Sequence, residues 1–298
     1  MNTADYMRMM NSGRLFENIV VAYGSNFPDA LAGSYLAAVT KAPVLLVNAK
    51  NEKKVLNYIK KNAAPDATVY LLGGDSLISN DFNNSVFHAG FKPVRLSGAD
   101  RYLTNLRILE EAEKRGGDLS ELLVCSGSSY SDALSTSSVG KPILLVGKKL
   151  SDDQKAYLSG RSFSTVYLVG GTGVVSDAIG KAMAAYTSSS KNVKRLGGAD
   201  RYGTSKLVAD EFFSGTNVPA VLVYGRNFPD GLSGGAVAAM LGAPVLLVAD
   251  KKTASAAAWT EEHQTVSCLI LGGQKLISDK NVQTAMNNSK LNIRNYAE

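Results

Sequence analysis

Short apolar runs, each closed by a glycine or a polar turn, alternate along this chain with longer amphipathic stretches. Ile19-Val20-Val21-Ala22-Tyr23 ends at Gly24, and Thr68-Val69-Tyr70-Leu71-Leu72 ends at Gly73-Gly74. Val44-Leu45-Leu46-Val47 has no polar alternation, and Pro93-Val94-Arg95-Leu96 is a shorter run. Uninterrupted runs of this kind, rich in β-branched residues, predict strands covered on both faces. Between them, helices are predicted over residues 4–14, 28–39 and 51–62, with another starting near residue 80. Pro28 suits a first helical turn, where its missing N–H costs nothing, and Asp29 puts a carboxylate at the positive end of the helix dipole. Strand and helix alternate throughout, so parallel sheets with helices on both sides are expected.

The same pattern occurs three times. Gly24-Ser25-Asn26-Phe27-Pro28-Asp29-Ala30-Leu31 returns as Gly127-Ser128-Ser129-Tyr130-Ser131-Asp132-Ala133-Leu134 and as Gly225-Arg226-Asn227-Phe228-Pro229-Asp230-Gly231-Leu232. The second strand returns as Ile143-Leu144-Leu145-Val146 and Val245-Leu246-Leu247-Val248, each after a proline. The Gly-Gly pairs at 73/74, 170/171 and 272/273 each precede a serine five residues on, at Ser79, Ser176 and Ser278. Ordered blocks in triplicate are the signature of a repeat architecture. Three units are expected, at residues 1–97, 98–197 and 198–298. Each is large enough for its own core.

Two junctions share an octet, Arg95-Leu96-Ser97-Gly98-Ala99-Asp100-Arg101-Tyr102 and Arg195-Leu196-Gly197-Gly198-Ala199-Asp200-Arg201-Tyr202. The glycine permits a tight turn, and Asp is suited to cap the helix that comes next. No Gly/Ser-type flexible linker intervenes, so the units are expected to pack as a closed triangle. Copy two departs from the others. Asp132 to Pro142 spans 10 positions, against 14 from Asp29 to Pro43. About one helical turn is missing, and what remains, Ser135-Thr136-Ser137-Ser138-Val139-Gly140, is poor in helix propensity.

Composition narrows the function. A hydrophobic fraction of 45% with 19% charged residues fits an ordered globular protein rather than a disordered one. There is no long apolar stretch to span a membrane. The net charge of +6 is modest and its lysines are scattered. That suits a solvated surface or diffuse attraction to a polyanion, but nucleic acid is not expected, because no basic cluster is interleaved with aromatics. Cys125 and Cys268 stand at different places in the repeat, in apolar runs, and read as buried thiols rather than a disulfide or metal ligands. His88 and His263 are also non-equivalent, so no zinc cluster repeats. No nucleophile elbow or Walker sequence occurs. Gly171-Thr172-Gly173 lacks the third glycine of a dinucleotide site. The expectation is no enzyme, no cofactor and no metal.

Taken together, the N-F-P-D-A-L, A-P-V-L-L-V, V-Y-L-L-G-G and R-L-x-G-A-D-R-Y blocks resemble the type 2 cell-wall-binding repeat of Gram-positive bacteria, which is common in clostridial surface proteins and occurs in groups of three. The resemblance implies α/β units of Rossmann- or Toprim-like kind with short parallel sheets, packed around a pseudo-threefold axis within one chain. It implies a non-covalent anchor that holds a secreted protein on the wall, with an anionic polysaccharide or teichoic-acid-type polymer as partner. The family's isoleucine-leucine-leucine stretch corresponds to Val44-Leu45-Leu46, Ile143-Leu144-Leu145 and Val245-Leu246-Leu247. The competing expectation is a surface-layer scaffold acting through protein–protein contacts. The sequence opens directly in a repeat, which suggests a trimmed fragment. The lack of a signal peptide is therefore no argument for the cytoplasm.

Ten residues stand as candidate polymer contacts. Asp29, Asp132 and Asp230 are expected to complete backbone hydrogen bonds at helix starts, with contact to polymer hydroxyls or a bridging cation as the alternative. One carboxylate per site is poor provision for calcium. Asp100, Arg101, Asp200 and Arg201, with Arg95, Arg195 and Arg294, are expected to form salt bridges locking one copy to the next. Arg101 and Arg201 would each pair with a carboxylate at the seam. The alternative is phosphate capture, which arginine's forked donors suit.

Overall fold

The computed structural model describes residues 3–288. Arg294 and the fourth strand expected around it lie outside the described residues. The first unit runs α1 (Thr3–Met10), β1 (Phe16–Tyr23), α2 (Pro28–Thr40), β2 (Val44–Val47), α3 (Glu52–Asn62), β3 (Ala63–Leu72), α4 (Asn80–His88) and β4 (Lys92–Leu96). The second runs α5 (Arg101–Lys114), β5 (Glu121–Ser126), a 3-10 segment (Ala133–Ser138), β6 (Ile143–Val146), α6 (Asp152–Leu158), β7 (Thr165–Val169), α7 (Asp177–Met183) and β8 (Val193–Leu196). The third runs α8 (Arg201–Phe212), β9 (Ala220–Tyr224), α9 (Pro229–Leu241), β10 (Val245–Val248), α10 (Ala254–Glu262), β11 (Cys268–Leu271) and α11 (Asp279–Ala285).

Every pair of these strands is parallel, in the orders β2-β1-β3-β4, β6-β5-β7-β8 and β10-β9-β11. The central strands β1, β5 and β9 are buried almost throughout, because helices cover both faces. In each unit the chain leaves its central strand to one side and returns on the other. At the carboxyl ends of the strands that reversal is where open α/β sheets usually form a ligand crevice.

Helix starts match the sequence closely. Ser79, Ser176 and Ser278 each accept a hydrogen bond from the backbone N–H three residues on, at 3.0, 3.4 and 3.3 Å. Two elements differ from expectation. The first helix stops at Met10 rather than residue 14, because Ser12 and Gly13 take positive φ of 56° and 72°. The third strand starts five residues early, at Ala63. It pairs Phe16 with Ala63 and then shifts register to Asn18 with Thr68, which passes Pro65 and Asp66 through an irregularity.

The shortened helix of copy two becomes the 3-10 segment. Its side chains explain why. The hydroxyls of Ser135, Thr136, Ser137 and Ser138 donate to the carbonyls of Asp132, Ala133, Leu134 and Ser135, at 2.8, 2.6, 2.8 and 3.4 Å. These local bonds satisfy the hydroxyls in a buried place and compete with α-helical pairing. The result is a thin, fully buried backbone on which α9 can lie closely.

The three units close on one another. α2, the 3-10 segment and α9 touch pairwise at the centre. Around them the same contact occurs three times: α5 packs on α2, α8 on the 3-10 segment and α1 on α9. Each first helix thus covers the central helix of another unit, and the third contact returns to the start. Small residues make this possible. A Cβ at Gly231 would meet Leu134 at 2.7 Å, and one at Gly235 would meet the Cβ of Ser137 at 2.4 Å and its carbonyl oxygen at 2.8 Å. Ser138 Oγ also accepts the backbone N–H of Val245 at 3.1 Å, tying the second unit to β10.

The first prediction concerns this contact. Gly235→Ala adds a methyl group against Ser137, whose β-carbon and carbonyl oxygen cannot swing aside, so it should destabilise the chain by about 1–3 kcal/mol through overpacking despite alanine's better helix propensity. A Gly273→Ala control, whose Cβ would meet nothing within 4 Å, should change stability by less than about 0.5 kcal/mol. Denaturant unfolding of both variants measures the difference.

Candidate functional site

The loops and helix starts at the carboxyl ends of the strands line the crevice of the first unit. Asp29 sits after β1, at the second position of α2, and Gly73 ends β3. A Cβ on Gly73 would lie 2.8 Å from Asp29 Oδ2, and Gly73 has φ +110°, so only glycine fits on both counts. The arrangement repeats at Asp132 with Gly170 and at Asp230 with Gly272, where the corresponding distances are 3.2 and 3.5 Å and φ is +105° and +131°. This pairing ties together two sequence blocks that stand far apart in the chain.

The aspartates do not complete backbone hydrogen bonds at their helix starts, as the sequence led us to expect. No side-chain cap bond forms at α2, the 3-10 segment or α9. Asn26 and Asn227 accept the N–H of the adjacent phenylalanine instead, at 3.0 and 2.9 Å. The aspartates lie against the glycine across the crevice, away from their own N–H groups. Burial pushes the Asp29 carboxyl up to about 6, against the opposing pull of the Arg101 charge. Burial pushes Asp230 up as well.

The junction arginines have two distinct placements. Arg95 donates to the carbonyls of Gly73 and Ile78, both at 2.9 Å. Arg195 donates to Gly170 and Val175 at 2.9 and 2.8 Å and pairs with the exposed Asp177 at 2.9 Å. Both arginines fasten the loop that carries the Gly-Gly pair of their own unit. They do not bridge to the next unit, because five donors in a fixed fork suit clustered carbonyls as well as a carboxylate.

Arg101 and Arg201 reach forward to Gly127 and Gly225, the glycines that follow β5 and β9. Each donates to its carbonyl, Gly127 at 2.6 Å and Gly225 at 2.8 Å. The neighbouring Tyr102 and Tyr202 rings lie against the same glycines, where a Cβ would meet the ring at 2.5 and 2.8 Å. The Arg-Tyr dipeptide therefore grips one glycine by its carbonyl and its bare Cα. Among the described residues neither arginine makes an ion pair. The expected salt-bridge network is replaced by carbonyl contacts, with Asp29 felt by Arg101 only as a nearby charge.

Asp100 and Asp200 cap α5 and α8. Asp100 Oδ1 accepts from the N–H of Tyr102 and Leu103 at 2.9 and 2.8 Å; Asp200 Oδ1 accepts from Tyr202 and Gly203 at 3.1 and 3.0 Å. Lys252 adds a 3.0 Å bond to the other oxygen of Asp200. Burial works against the Asp200 charge, but the Gly203 N–H, Lys252 and the Tyr202 N–H hold its carboxyl below the ordinary value.

Sequence reasoning missed the centre of this face. Phe27, Tyr130 and Phe228 occupy one repeat position, two residues before each crevice aspartate. Their rings meet with centroids 6.0, 6.2 and 5.4 Å apart, all tilted or edge-on. The Tyr130 hydroxyl donates to the Arg226 carbonyl at 2.9 Å, and the Arg201 guanidinium lies 5.7 Å from the Tyr130 ring centroid. The aromatic residue three positions after Gly24, Gly127 and Gly225 was the available signal. The face thus gathers an aromatic triad, crevice carboxylates and two seam arginines with donors to spare.

The model of the family "Cell wall binding domain 2 (CWB2)" matches residues 2–83, 95–180 and 195–283. The chain belongs to that family. Two of its three matches open at the octet arginines, Arg95 and Arg195. Over 278 residues the chain is 25% identical to the N-acetylmuramoyl-L-alanine amidase LytC of Bacillus subtilis, covering 90% of this chain and 49% of that protein. It is 28% identical over 262 residues to the amidase enhancer of the same organism, covering 85% of this chain and 34% of that one. Among solved structures, Cwp6 of Clostridium difficile superposes with a TM-score of 0.84 at 22% identity, over 96% of this chain and 46% of that chain. Cwp8 of the same organism gives 0.77 at 22% identity, over 96% and 50%. The chain spans half or less of the length of these relatives. The structural likeness shows the fold, three CWB2 units with short parallel sheets.

Cys125 is buried and Cys268 half-buried, and the two thiols are unpaired. Burial pushes Cys125 up to about 12 and Cys268 up to about 11. Among the described residues, no three of His, Cys, Asp or Glu gather to hold a metal ion.

The second prediction comes from Asp29. Its folded carboxyl titrates near 6, above the ordinary 3.8. Between those values the folded chain keeps a proton that the unfolded chain has released, so stability falls as pH rises from about 4 to about 6. Above that window the full penalty is present. Asp29→Asn removes it and should stabilise the chain at pH 8 by about 1–3 kcal/mol. The gain should shrink steadily on acidification to pH 4. Thermal melts of both proteins across this range check the sign.

Proposed function

We propose that this chain is a non-catalytic anchor that holds a secreted protein on the Gram-positive cell wall by multivalent binding of an anionic wall polymer. The observation that carries the reading is the repeated crevice face: the same strand-end cleft occurs in each unit, and arginines with unused donors stand at two of the seams. Arg101 and Arg201 each commit one N–H group to a carbonyl, which fixes the guanidinium and leaves the rest of its fork for phosphate or carboxylate oxygens. Weak sites on one rigid frame gain strength by acting together, so no single deep pocket is needed. Family membership agrees with wall attachment. The amidase named among the relatives is a protein about twice the length matched here.

The third prediction is a sedimentation measurement with purified walls. The intact chain should co-sediment, and less so as salt rises, because exposed charges are screened within about 10 Å at 0.1 M. Walls stripped of anionic polymer should retain little of it. The double variant Arg101→Gln, Arg201→Gln should lose affinity by about tenfold when measured well below its melt, which the two lost carbonyl bonds should lower by a few degrees. Retention on stripped walls at undiminished level would instead support a scaffold that binds protein partners.

A further inference from the structure

Apart from the repeated face, the second unit has a hollow whose lining does not recur in the other two. Its volume is about 230 Å³. The loop after β6 supplies Lys148, Lys149 and Leu150, α6 supplies Lys155, and α7 with the turn after it supplies Ile179, Ala182 and Tyr186. Leu150 and Ile179 are buried and form an apolar floor, at 5% and 1% exposure. Asp152 holds Lys155 at 2.8 Å. Among the described residues Lys148 and Lys149 make no ion pair.

The combination is confined to this unit. Counting from the second strands, Lys148 is matched by Ala49 and by Asp250. Counting from the N-cap serines, Ile179 is matched by Phe82 and Asn281, and Tyr186 by Ala89 and Asn288. By the same count Lys149 is matched by Lys50 and Lys251, so the set of lining residues, rather than each one of them, is what the second unit alone carries. A feature built once in a threefold repeat is not needed for the packing that all three share.

We propose that this hollow binds a phosphorylated sugar ring, as found along an anionic wall glycan; the proposal rests on the polymer-binding reading for the source of that ligand. Lys148, Lys149 and Lys155 line the hollow, and Asp152 pairs with Lys155 beside it. Ammonium groups only donate, so the ligand must be rich in acceptors, which phosphate and ring oxygens are. The floor and the Tyr186 ring take an apolar surface, which the C–H face of a pyranose offers. Donors above and carbon below match a ring that is polar at its edges and apolar on its face.

The test uses the full chain, labelled with nitrogen-15, and four probes: α-D-glucose 1-phosphate, N-acetylglucosamine 1-phosphate, inorganic phosphate and phenyl phosphate. Amide shifts at Leu150, Ile179, Ala182 and Tyr186 should saturate with at least one sugar phosphate, at a Kd about fivefold or more below that for inorganic phosphate. Ala182→Trp places a large ring on an exposed helix position and fills the hollow. Lys148→Glu with Lys149→Glu reverses its charge. Each should weaken sugar-phosphate binding by about fivefold or more without lowering the melting temperature, and Ala182→Trp should also weaken wall sedimentation. The proposal is overturned if neither sugar phosphate saturates these amides, if inorganic phosphate binds as tightly, if phenyl phosphate binds more tightly than both sugars, or if the variants bind as the parent does. Unchanged wall sedimentation of Ala182→Trp also overturns it, and leaves the seam reading standing, which the double arginine variant tests separately.

Discussion

The close approach of three backbones at the centre of the molecule is the constraint on which the rest depends. α2 and α9 are rich in glycine, alanine and serine on the sides that meet, and the 3-10 segment is thinner than either. A Cβ at Gly33 or Gly234 would already collide with the leucine that ends the third strand of its own unit. Each central helix is therefore pressed on one side to its sheet and on the other to its counterparts. Helices this near can bring their first residues together, which is why Phe27, Tyr130 and Phe228 meet as a triad rather than facing three separate solvents. The crevice aspartates sit two residues further on, so the geometry of the proposed binding face arises from the packing of small residues behind it.

Ion pairs contribute little to this frame. The Arg107–Glu110 pair within α5, for example, is largely exposed and worth well under about 1 kcal/mol. The direct bonds between units come from neutral hydroxyls, Tyr35 donating to the Asp118 carbonyl at 2.6 Å and Tyr130 to the Arg226 carbonyl at 2.9 Å, while the arginines give their charged donors to carbonyls within their own units. This matters for function. A guanidinium neutralised by a carboxylate has little attraction left for an anion, whereas one fixed by a carbonyl keeps its charge. Asp29 carries a charge that Arg101 feels, and burial disfavours its ionised form, so acidification toward pH 5 removes that competition.

Much of this was legible in the sequence, because repetition separates pattern from accident. The order of strands and helices and the thinning of copy two each rested on a local rule: β-branched runs for strands, hydroxyls without helix formers for the thinned segment. The fate of the polar residues was less legible. Asp29 and Asp100 look alike from sequence, each at the opening of a helix. Asp100 precedes its helix and can turn its oxygens onto the N–H groups of Tyr102 and Leu103. Asp29 comes after Pro28 inside the first turn, where its side chain points away from those groups and toward Gly73. A small difference in position along the chain separates a cap from a crevice carboxylate.

The arginines teach the complementary point. Charge alone suggested carboxylate partners, yet an arginine near a glycine-rich loop has carbonyls within reach that carry no desolvation cost of a second ion. Gly73 and Gly170 take positive φ, which turns the loop so that their carbonyls face the guanidinium of Arg95 or Arg195. The glycine and the arginine are thus two halves of one device, 22 residues apart in the first unit and 25 in the second. They cannot be recognised as a pair until the strand that carries the arginine is placed. The same logic joins Arg101 to Gly127 and Arg201 to Gly225 across the first helix of the second and third units. Blocks that recur together in the sequence do so because each supplies the backbone group that the other's side chain requires.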